Sequence, residues 1–361
     1  MRLAWLLLLC ACACQDLERV YRCQRDAQCV DGEGRAGRCV EHGCAWLDSG
    51  CPTGLRFDIS AGSGRSGVCV GQEGPEPAPV FSLLPLPDGH RETHRLGPVF
   101  GAGARVYVCG WDGQSFLLRW DEGGVRRLPV PLGGETVRAA AAEGEHLALA
   151  TPTRLLRSAD AGMSFHQQDR AGIEALHHDG ALLHLLVGGQ VESWRPDGTQ
   201  ADLLAAPEGG VVALAGQGSQ AIALVHGAGG QSVLYRRDHG RWQRAGAAME
   251  ALQAVAAGGG VWAAAGPGLL LVDGMASPGP PEGAVELALG ARDDVWLRVP
   301  GRPYLLRQRG GTLREVRPDP AAEVYASLWV SRPAAGAQLW VVSRVLVDRS
   351  LRARLWRAAV P

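Results

Sequence analysis

One strand-turn-strand phrase recurs seven times along this chain, and it restricts the possible folds more than any other feature. In its fullest form it is an aliphatic run, an arginine and an Asp-Gly turn, as in VESWRPDGTQADL at 191–203 and VLYRRDHGRWQRA at 233–245. A short apolar strand precedes each copy, and successive strands begin 34 to 44 residues apart. These strands begin near Val106, Leu147, Leu183, Ala221, Val261, Val295 and Leu339. Repeats of about 40–45 residues with several short strands each are typical of β-propellers.

We therefore predict an all-β chain, with a seven-bladed β-propeller over 80–361 preceded by a small disulfide-rich module. The Ala/Gly-rich runs at 139–150 and 254–266 are predicted to be small-residue inner strands near the propeller axis. The last repeat, at 352–360, has no outer strand after it, whereas VFSLLPLP at 80–87 resembles the outer strand of the first repeat. We expect residues near 81–86 to pair with 352–359 and close the ring, because unpaired edge strands promote aggregation.

The first 14 residues form a predicted export signal. Arg2 precedes a short apolar run, Leu3 to Leu9, which is too brief to span a bilayer. The segment from Leu9 to Cys12 resembles a bacterial lipobox, which implies that Cys12 is acylated and anchors the chain to a membrane. A weaker match to the lipobox, shifted by two residues, would place the acylated cysteine at Cys14. A plain secretory signal cleaved near Ala13 is the alternative.

Residues 15–70 form a predicted cysteine-rich module, and the Pro/Gly-rich segment GQEGPEPAP at 71–79 a linker. The module has few aliphatic residues, so burial alone cannot stabilise it. An even number of cysteines behind an export signal predicts disulfides, while zinc is the alternative reading. The sequence does not choose the pairing among Cys23, Cys29, Cys39, Cys44, Cys51 and Cys69. The run at 39–57 is similar to small cysteine-rich headers of envelope lipoproteins.

Composition excludes several functions. The net charge is −1, so no field of one sign favours nucleic acid. The chain contains no Asn and therefore no N-glycosylation acceptor. Neither a cofactor nor a metal ion is predicted, and a monomer is expected.

One motif is sharp enough to suggest a family. Residues 158–165, SADAGMSF, resemble the Asp-box of sialidase-like and BNR-repeat propellers, and the chain as a whole is similar to such propellers, including WD40-like and YVTN-like ones. In that family the box is structural and lies away from the catalytic face. The resemblance assigns structural roles to Ser158, Asp160, Gly162, Ser164 and Phe165. Asp197-Gly198 and Asp238-His239-Gly240 look like eroded copies.

Other candidate residues favour structural roles. His177, His178 and His184 are predicted to be polar turn residues rather than metal ligands. Asp293-Asp294 is interpreted as a turn before a core tryptophan, and Cys109 as a buried free thiol. Seven tryptophans near strand ends are predicted to pack between blades: Trp120, Trp194, Trp242, Trp262, Trp296, Trp340 and Trp356.

The sequence predicts a non-enzymatic lipoprotein of the cell envelope, in the outer membrane, whose propeller binds a protein or glycan. Secretion or a periplasmic location is the alternative placement. The alternative function is a glycosidase or polysaccharide lyase of the sialidase-like type. An enzyme of that type should have a deep central pocket where Arg, Glu or Asp, and Tyr converge, and a scaffold a pore lined by small residues.

Overall fold

The computed structural model describes residues 23–31, 34–40, 43–51, 54–58, 69–70, 79–86, 95–204, 206, 209–217, 219–238, 240–245, 249, 252–258, 261–291, 294–309, 312–331, 337–348 and 350–360. The chain divides into two compact units, Met1–Ala78 with Gly310–Thr312 and Pro79–Arg309 with Leu313–Pro361. The predicted acylation site Cys12 and most of the predicted linker lie outside the described residues. No helix in the described ranges is long and apolar enough to cross a bilayer.

The first unit contains a 3₁₀ turn and a three-stranded antiparallel sheet. The turn is Asp26–Gln28, and the strands are β1 (Arg38–Val40), β2 (Gly43–Leu47) and β3 (Leu55–Phe57), in the order β1-β2-β3. Three disulfides confirm the predicted framework: Cys23–Cys39, Cys29–Cys44 and Cys51–Cys69. The sulfurs of Cys23, Cys29 and Cys44 cluster within 4.8 Å, but all three are disulfide-bonded rather than arranged as thiolate ligands for zinc.

The second unit consists of β-strands grouped into four-stranded antiparallel sheets, here called blades. It begins with β4 (Ser82–Leu83). Blade 1 contains β5 (Arg95–Ala102), β6 (Arg105–Trp111), β7 (Ser115–Asp121) and β8 (Gly124–Pro129). Blade 2 contains β9 (Ala139–Glu143), β10 (His146–Ala150), β11 (Arg154–Ser158) and β12 (His166–Asp169). Blade 3 contains β13 (Ile173–His178), β14 (Leu183–Val187), β15 (Gln190–Trp194) and β16 (Gln200–Leu204).

The remaining blades repeat this order. Blade 4 contains β17 (Gly209–Gln217), β18 (Gln220–Gly227), β19 (Ser232–Asp238) and β20 (Arg241–Arg244). Blade 5 contains β21 (Ala254–Gly258), β22 (Val261–Gly266), β23 (Leu269–Val272) and β24 (Met275–Pro278). Blade 6 contains β25 (Glu286–Ala291), β26 (Asp294–Arg298), β27 (Leu305–Arg309) and β28 (Thr312–Val316). Blade 7 contains β29 (Val324–Ser331), β30 (Ala337–Val347), β31 (Ser350–Val360) and the early strand β4.

The described strands of this unit thus form seven blades in a closed ring. The first strand of each blade contacts the first strand of the next, and β29 of blade 7 contacts β5 of blade 1. The chain therefore has the all-β propeller architecture that the repeat predicts. The strands recognised from the sequence are the second and third of each blade, and the Ala-rich runs supply the inner strands β9 and β21, as predicted.

Hydrophobic packing lies between the blades, because each sheet presents one apolar face to each neighbour. Between blades 1 and 2, for example, Tyr107 and Leu117 pack against Leu147 and Leu149. Cys109 is buried in the same cluster, as predicted, and burial raises the pKa of its thiol. The predicted packing role of the seven tryptophans is confirmed, since each belongs to an inter-blade cluster.

Ring closure by the early strand is also confirmed. In β4, Ser82 pairs with Arg357 and Leu83 with Trp356, and the Leu84 N–H donates to the Leu355 carbonyl (2.9 Å). Leu84 and Leu86 are buried with residues of blades 7 and 1. On the other side, Phe81 meets the Trp296 ring of blade 6 edge-on at 6.4 Å. The strand therefore links the last blade to both of its neighbours.

Candidate functional site

The inner strands of the seven blades enclose a central channel of about 410 Å³. Its wall is mostly small and aliphatic residues, as at Ala140–Ala142 and Ala254–Ala257. Small residues are expected there, because the inner strands approach one another most closely around the axis. The polar side chains of the wall are Glu174, His177, Gln217, Gln253 and Glu286.

Three of these polar residues lie where the inner strands begin, and we call this end the channel mouth. Glu174 is the second residue of β13, Gln253 precedes β21, and Glu286 is the first residue of β25. Two apolar residues of the same region, Val212 and Val285, are 42% and 46% exposed. The channel mouth thus combines acidic and amide side chains with accessible apolar surface.

Backbone irregularities shape this mouth. The pairing of β13 with β14 shifts between Ile173 and Ala175, and that of β17 with β18 between Val211 and Ala213. A bulge leaves one residue unpaired and changes where its side chain points. The residues skipped by the ladder are Glu174 and Val212, and both line the channel.

Glu286 is held by one group of its own blade and one of blade 7. Arg298 Nε donates to its Oε2 (2.7 Å), and the Ser327 hydroxyl donates to its Oε1 (3.0 Å). Ser327 Oγ also accepts from the Val99 N–H of blade 1 (3.2 Å). Burial raises the pKa of Glu286, while the Arg298 guanidinium opposes that shift. Its carboxylate therefore joins blades 6 and 7, and through Ser327 blade 1.

At the other end of the channel, His177 and Gln217 fill space left by glycines. The His177 ring lies against Gly216, and the Gln217 side chain against Gly258. These contacts join the ends of β13, β17 and β21.

The prediction that the three clustered histidines are polar turn residues is wrong. His177 and His178 end strand β13, His184 lies in β14, and all three are buried. The rings of His177 and His184 stack at 5.7 Å across the paired strands. The turn itself is formed by residues 179–182, which explains why a turn signal lies inside the cluster.

His184 is the centre of a buried polar network. Its Nδ1 lies 2.8 Å from Ser193 Oγ and its Nε2 2.9 Å from Asp179 Oδ2. Arg237 of blade 4 lies 3.6 Å from the same Asp179 oxygen and donates to Ser193 Oγ (3.3 Å). Burial acts to raise the pKa of Asp179, but hydrogen bonds from His184 and the Leu182 N–H lower it overall.

This Ser-His-Asp arrangement has the connectivity of a hydrolase triad, but a substrate cannot reach it. Ser193 and His184 have no exposed surface, and the serine hydroxyl also accepts from Arg237. A nucleophile must reach its substrate, whereas these groups are enclosed. The network instead joins blade 3 to blade 4, and removing one partner would leave buried polar atoms unsatisfied.

Of the paired aspartates, Asp294 lies in a strand rather than in the predicted turn. Asp294 is buried as the first residue of β26, and Arg307 Nε donates to its Oδ1 (2.7 Å). Asp293 lies outside the described residues. The predicted core tryptophan that follows, Trp296, is fully buried.

The Asp-box-like segment forms the turn between β11 and β12. The Asp160 carboxylate accepts from the Ser164 N–H (2.9 Å) and hydroxyl (2.6 Å), and from the Ser158 hydroxyl (2.7 Å). The Ser164 hydrogen bonds, followed by that of Ser158, lower the pKa of Asp160 to about 2. Gly162 has φ = 88°, and Phe165 packs on the cluster between blades 1 and 2.

Sequence reasoning missed the polar residues of the channel mouth. Glu174, Gln253 and Glu286 occur in IEALHH, LQAVAAG and VELALG, each just before or at the start of an inner strand. The sequence does contain a signal for these residues, namely a polar residue at the position of the repeat where an inner strand begins. Arg298 and Ser327, which hold Glu286, lie 12 and 41 residues further along the chain and carried no such signal.

Comparisons with known proteins agree with this fold. The chain matches no protein-family model and no curated protein sequence. It is similar to the solved structure of YCF48 bound to D1 peptide, at 15% identity and a TM-score of 0.53 over 79% of this chain and all of that one. It is also similar to a catalytically inactive virginiamycin B lyase from Staphylococcus aureus with quinupristin, at 11% identity and a TM-score of 0.56 over 78% and 99% of the two chains. The RRP9 WD40 repeats match at 13% identity and a TM-score of 0.57 over 79% and 99%. The similarity places this chain among the β-propellers.

Proposed function

We propose that this chain is a non-enzymatic binding or scaffolding protein whose propeller recognises a protein or glycan at the channel mouth. The observation that carries this proposal is the composition of the channel wall. The described lining residues include neither Arg nor Tyr, which the sialidase-like mechanism requires, and small and aliphatic residues make up most of the wall. The exposed Val212 and Val285 beside Glu174 offer mixed apolar and polar contacts of the kind found at interfaces.

The solved structures are consistent with a binding role. One of them is bound to a peptide and another consists of WD40 repeats, although a lyase shares the fold. Fold alone does not decide function, so the channel mouth carries the proposal.

We further propose that the protein is exported and anchored to the cell envelope, in the outer membrane, through acylated Cys12. The lipobox-like segment before Cys12 supports this. Palmitate labelling of the wild type and of Cys12→Ser tests it. Label lost in the variant is the expected result. Retained label would move the site to Cys14, and an unlabelled wild type would contradict anchoring.

Site-specific crosslinking tests the channel mouth. A photo-reactive amino acid replaces Val212 or Val285, and the control position is Met275, which is 62% exposed on β24, the outer strand of blade 5. We expect a discrete crosslinked species from envelopes at positions 212 and 285 and none at 275. Equal crosslinking at all three positions would argue against a specific mouth.

The alternative, a glycosidase or polysaccharide lyase, has its own test. Purified protein is incubated with sialylated glycans and acidic polysaccharides, and new chain ends are measured. Product formation that Glu174→Gln abolishes would replace the binding proposal with the enzymatic one. We expect no product above a boiled control.

A further inference from the structure

A second cavity lies between blades 2 and 3, and we call it the inter-blade pocket. It encloses about 290 Å³ and shares no lining residue with the central channel. At about 30 Å³ per water, it has room for about ten waters, and so for a small organic molecule rather than a single ion. Its wall consists of His146, Leu147, Ala148, Arg157, Ser158, Ala159, Ser164, His166, His178, Leu183, Trp194, Arg195 and Pro196.

The wall is basic and contains no acidic residue among those described. Two arginines and three histidines line it, together with apolar side chains and one indole. Such an arrangement, an apolar cavity with a few convergent donors, is typical of small-molecule sites. The two arginine charges indicate an anion, and Asp197, a nearby carboxylate outside the pocket wall, interacts with both of them.

Several polar groups of the pocket wall already form hydrogen bonds within the protein. The hydroxyls of Ser158 and Ser164 donate to Asp160 (2.7 and 2.6 Å). The Trp194 N–H donates to Glu192 Oε2 (2.9 Å). A ligand would therefore be bound by the arginines and histidines.

His178 contributes a donor from a largely buried ring. Its side chain lines the pocket while the residue is only 7% exposed, and the Gly180 N–H donates to its Nδ1 (3.0 Å). Because Nδ1 accepts, a neutral ring carries its proton on Nε2. Burial and the neighbouring His146 lower the pKa of His178 to about 4, so the ring is neutral at pH 7. Nε2 has no hydrogen-bond partner within the described part of the chain.

Arg157 adds a second unsatisfied donor. Its Nη1 donates to the Pro196 carbonyl (3.3 Å), which fixes the guanidinium between blades 2 and 3. Its Nε is buried without a hydrogen-bond partner among the described residues. Buried unsatisfied donors are costly and uncommon in proteins, and a bound acceptor would satisfy them.

Arg195 and the stacked histidines complete the site. Arg195 is exposed at the rim, where it can meet an incoming charge. The His146 and His178 rings stack at 5.2 Å and nearly parallel, forming one flat side of the pocket.

We propose that the inter-blade pocket binds a small organic anion, whose carboxylate or phosphate accepts hydrogen bonds from Arg157, Arg195 and His178 Nε2. Arginine suits this role because its planar donors match the oxygens of both groups. The site is separate from the channel mouth, so this proposal stands or falls independently of the proposed function.

Calorimetric titration of the full chain tests the proposal. The probes are inorganic phosphate, glutarate and glucuronate, with glucose as the uncharged match for glucuronate. We expect saturable binding of at least one anion and none of glucose. Phosphate binding alone would identify a phosphate site, and binding of the two acids alone a carboxylate site.

Three variants locate the binding. Arg195→Gln removes a charge from an exposed side chain, Arg157→Gln removes the buried donor, and Ala159→Phe fills the pocket without altering a polar group. We expect each arginine variant to weaken Kd about tenfold or more, since charge-assisted hydrogen bonds are strong. The Phe variant should abolish binding. Arg126→Gln, at an exposed arginine on β8 of blade 1, is the matched control and should bind as the wild type does.

Two results would overturn the proposal. One is the absence of saturable binding for all three anions at millimolar concentration. The other is binding that Arg126→Gln weakens as much as Arg195→Gln does, because that would indicate a general ionic effect. Folding of the variants is checked by their thermal melts, and the exposed positions of Arg195 and Ala159 keep the test valid if Arg157→Gln is unstable.

Discussion

At the scale of single residues, the turn after β11 shows how one glycine serves both backbone and packing. Gly162 has φ = 88°, and a Cβ there would lie 3.0 Å from Leu147 Cδ1 and 3.2 Å from Leu128 Cδ1. Gly240, in the equivalent turn of blade 4, has φ = 80° but no atom within 4 Å of the same position.

Alanine substitutions at these two glycines separate the free-energy cost of backbone strain from that of side-chain crowding. Gly240→Ala should cost about 1 kcal/mol, the cost of a left-handed backbone for a residue with a Cβ. Gly162→Ala should cost about 2–4 kcal/mol, since overpacking adds to that strain. Urea unfolding of both variants measures the difference. Equal losses would mean that the leucines move aside freely.

The buried His178 predicts a pH dependence. Its folded pKa is about 4, below the ordinary 6.5, so the unfolded chain binds more protons between these values. Stability should therefore fall as pH drops from 6.5 to 4, by about 3 kcal/mol from this residue alone. His178→Asn should flatten the unfolding free energy across that window, because Asn does not titrate.

The matched control is His166→Asn, at an exposed residue of the same pocket. Its pH profile should follow the wild type. A profile of His178→Asn as steep as that of the wild type would contradict the expectation. Asp160 has a pKa of about 2 and titrates below the window, so its protonation does not interfere.

The roles of single residues could be predicted where they depend only on contacts within one short segment. The Asp160–Gly162 turn needs only its own segment, and its hydrogen bonds are formed within seven residues. The burial of His184 was not predictable in this way, because Arg237, which completes its network, comes from the next blade. The inter-blade pocket was not predictable for the same reason, since His146 and His178 meet only after two blades pack.

At the scale of elements, the closing strand β4 makes few backbone pairs but buries two leucines. Leu84 and Leu86 are 8% and 6% exposed, packed among residues of blades 7 and 1. Replacing each with Ala should cost about 2–3 kcal/mol, at the lower end for core leucines because the site lies near the surface. Val80→Ala, at an 81% exposed position, should change stability little.

Thermal melts of these variants measure how much β4 stabilises the closed ring. The double variant Leu84→Ala/Leu86→Ala should melt well below the wild type, and a chain that begins at residue 90 should aggregate or lose its cooperative transition. A truncated chain that melts like the full-length protein would show that β4 does not hold the ring closed.

Among the elements, the repeat predicted the second and third strands of every blade because those strands carry the aliphatic runs. The inner strands were harder to place where they bulge. The shift at Ile173–Ala175 depends on how β13 meets β14, and periodicity does not encode it. That shift positions Glu174 in the channel, so part of the candidate site follows from an irregularity of the repeat.

At the scale of the whole molecule, the two units depend on different forces. The first has three disulfides that span 15 to 18 residues each, and the second has a packed core whose described cysteine, Cys109, is a buried thiol. Each bridge contributes about 3 kcal/mol in the chain-entropy model. Reduction should therefore unfold the first unit and leave the propeller melt unchanged.

Hydrogen exchange with and without reductant measures this difference. Amides of β1 to β3 should lose protection after reduction, while those of β6 and β10 should keep theirs. Alkylation of Cys109 under the same conditions serves as the control, since a propeller that opened would expose its thiol. Loss of protection in both units would contradict the prediction.

The pairing of β4 with β31 also sets the timing of folding. A ribosome makes Ser82 and Leu83 more than two hundred residues before Trp356 and Arg357, so the earliest strand of the ring must wait for the last. Until then, blades 1 to 6 can form by local pairing, but the two ends of the ring remain open and apolar. Contacts of such long sequence separation form slowly. The ring therefore stays unclosed until its last strand is available, and factors that shield hydrophobic edges would act on it in that interval.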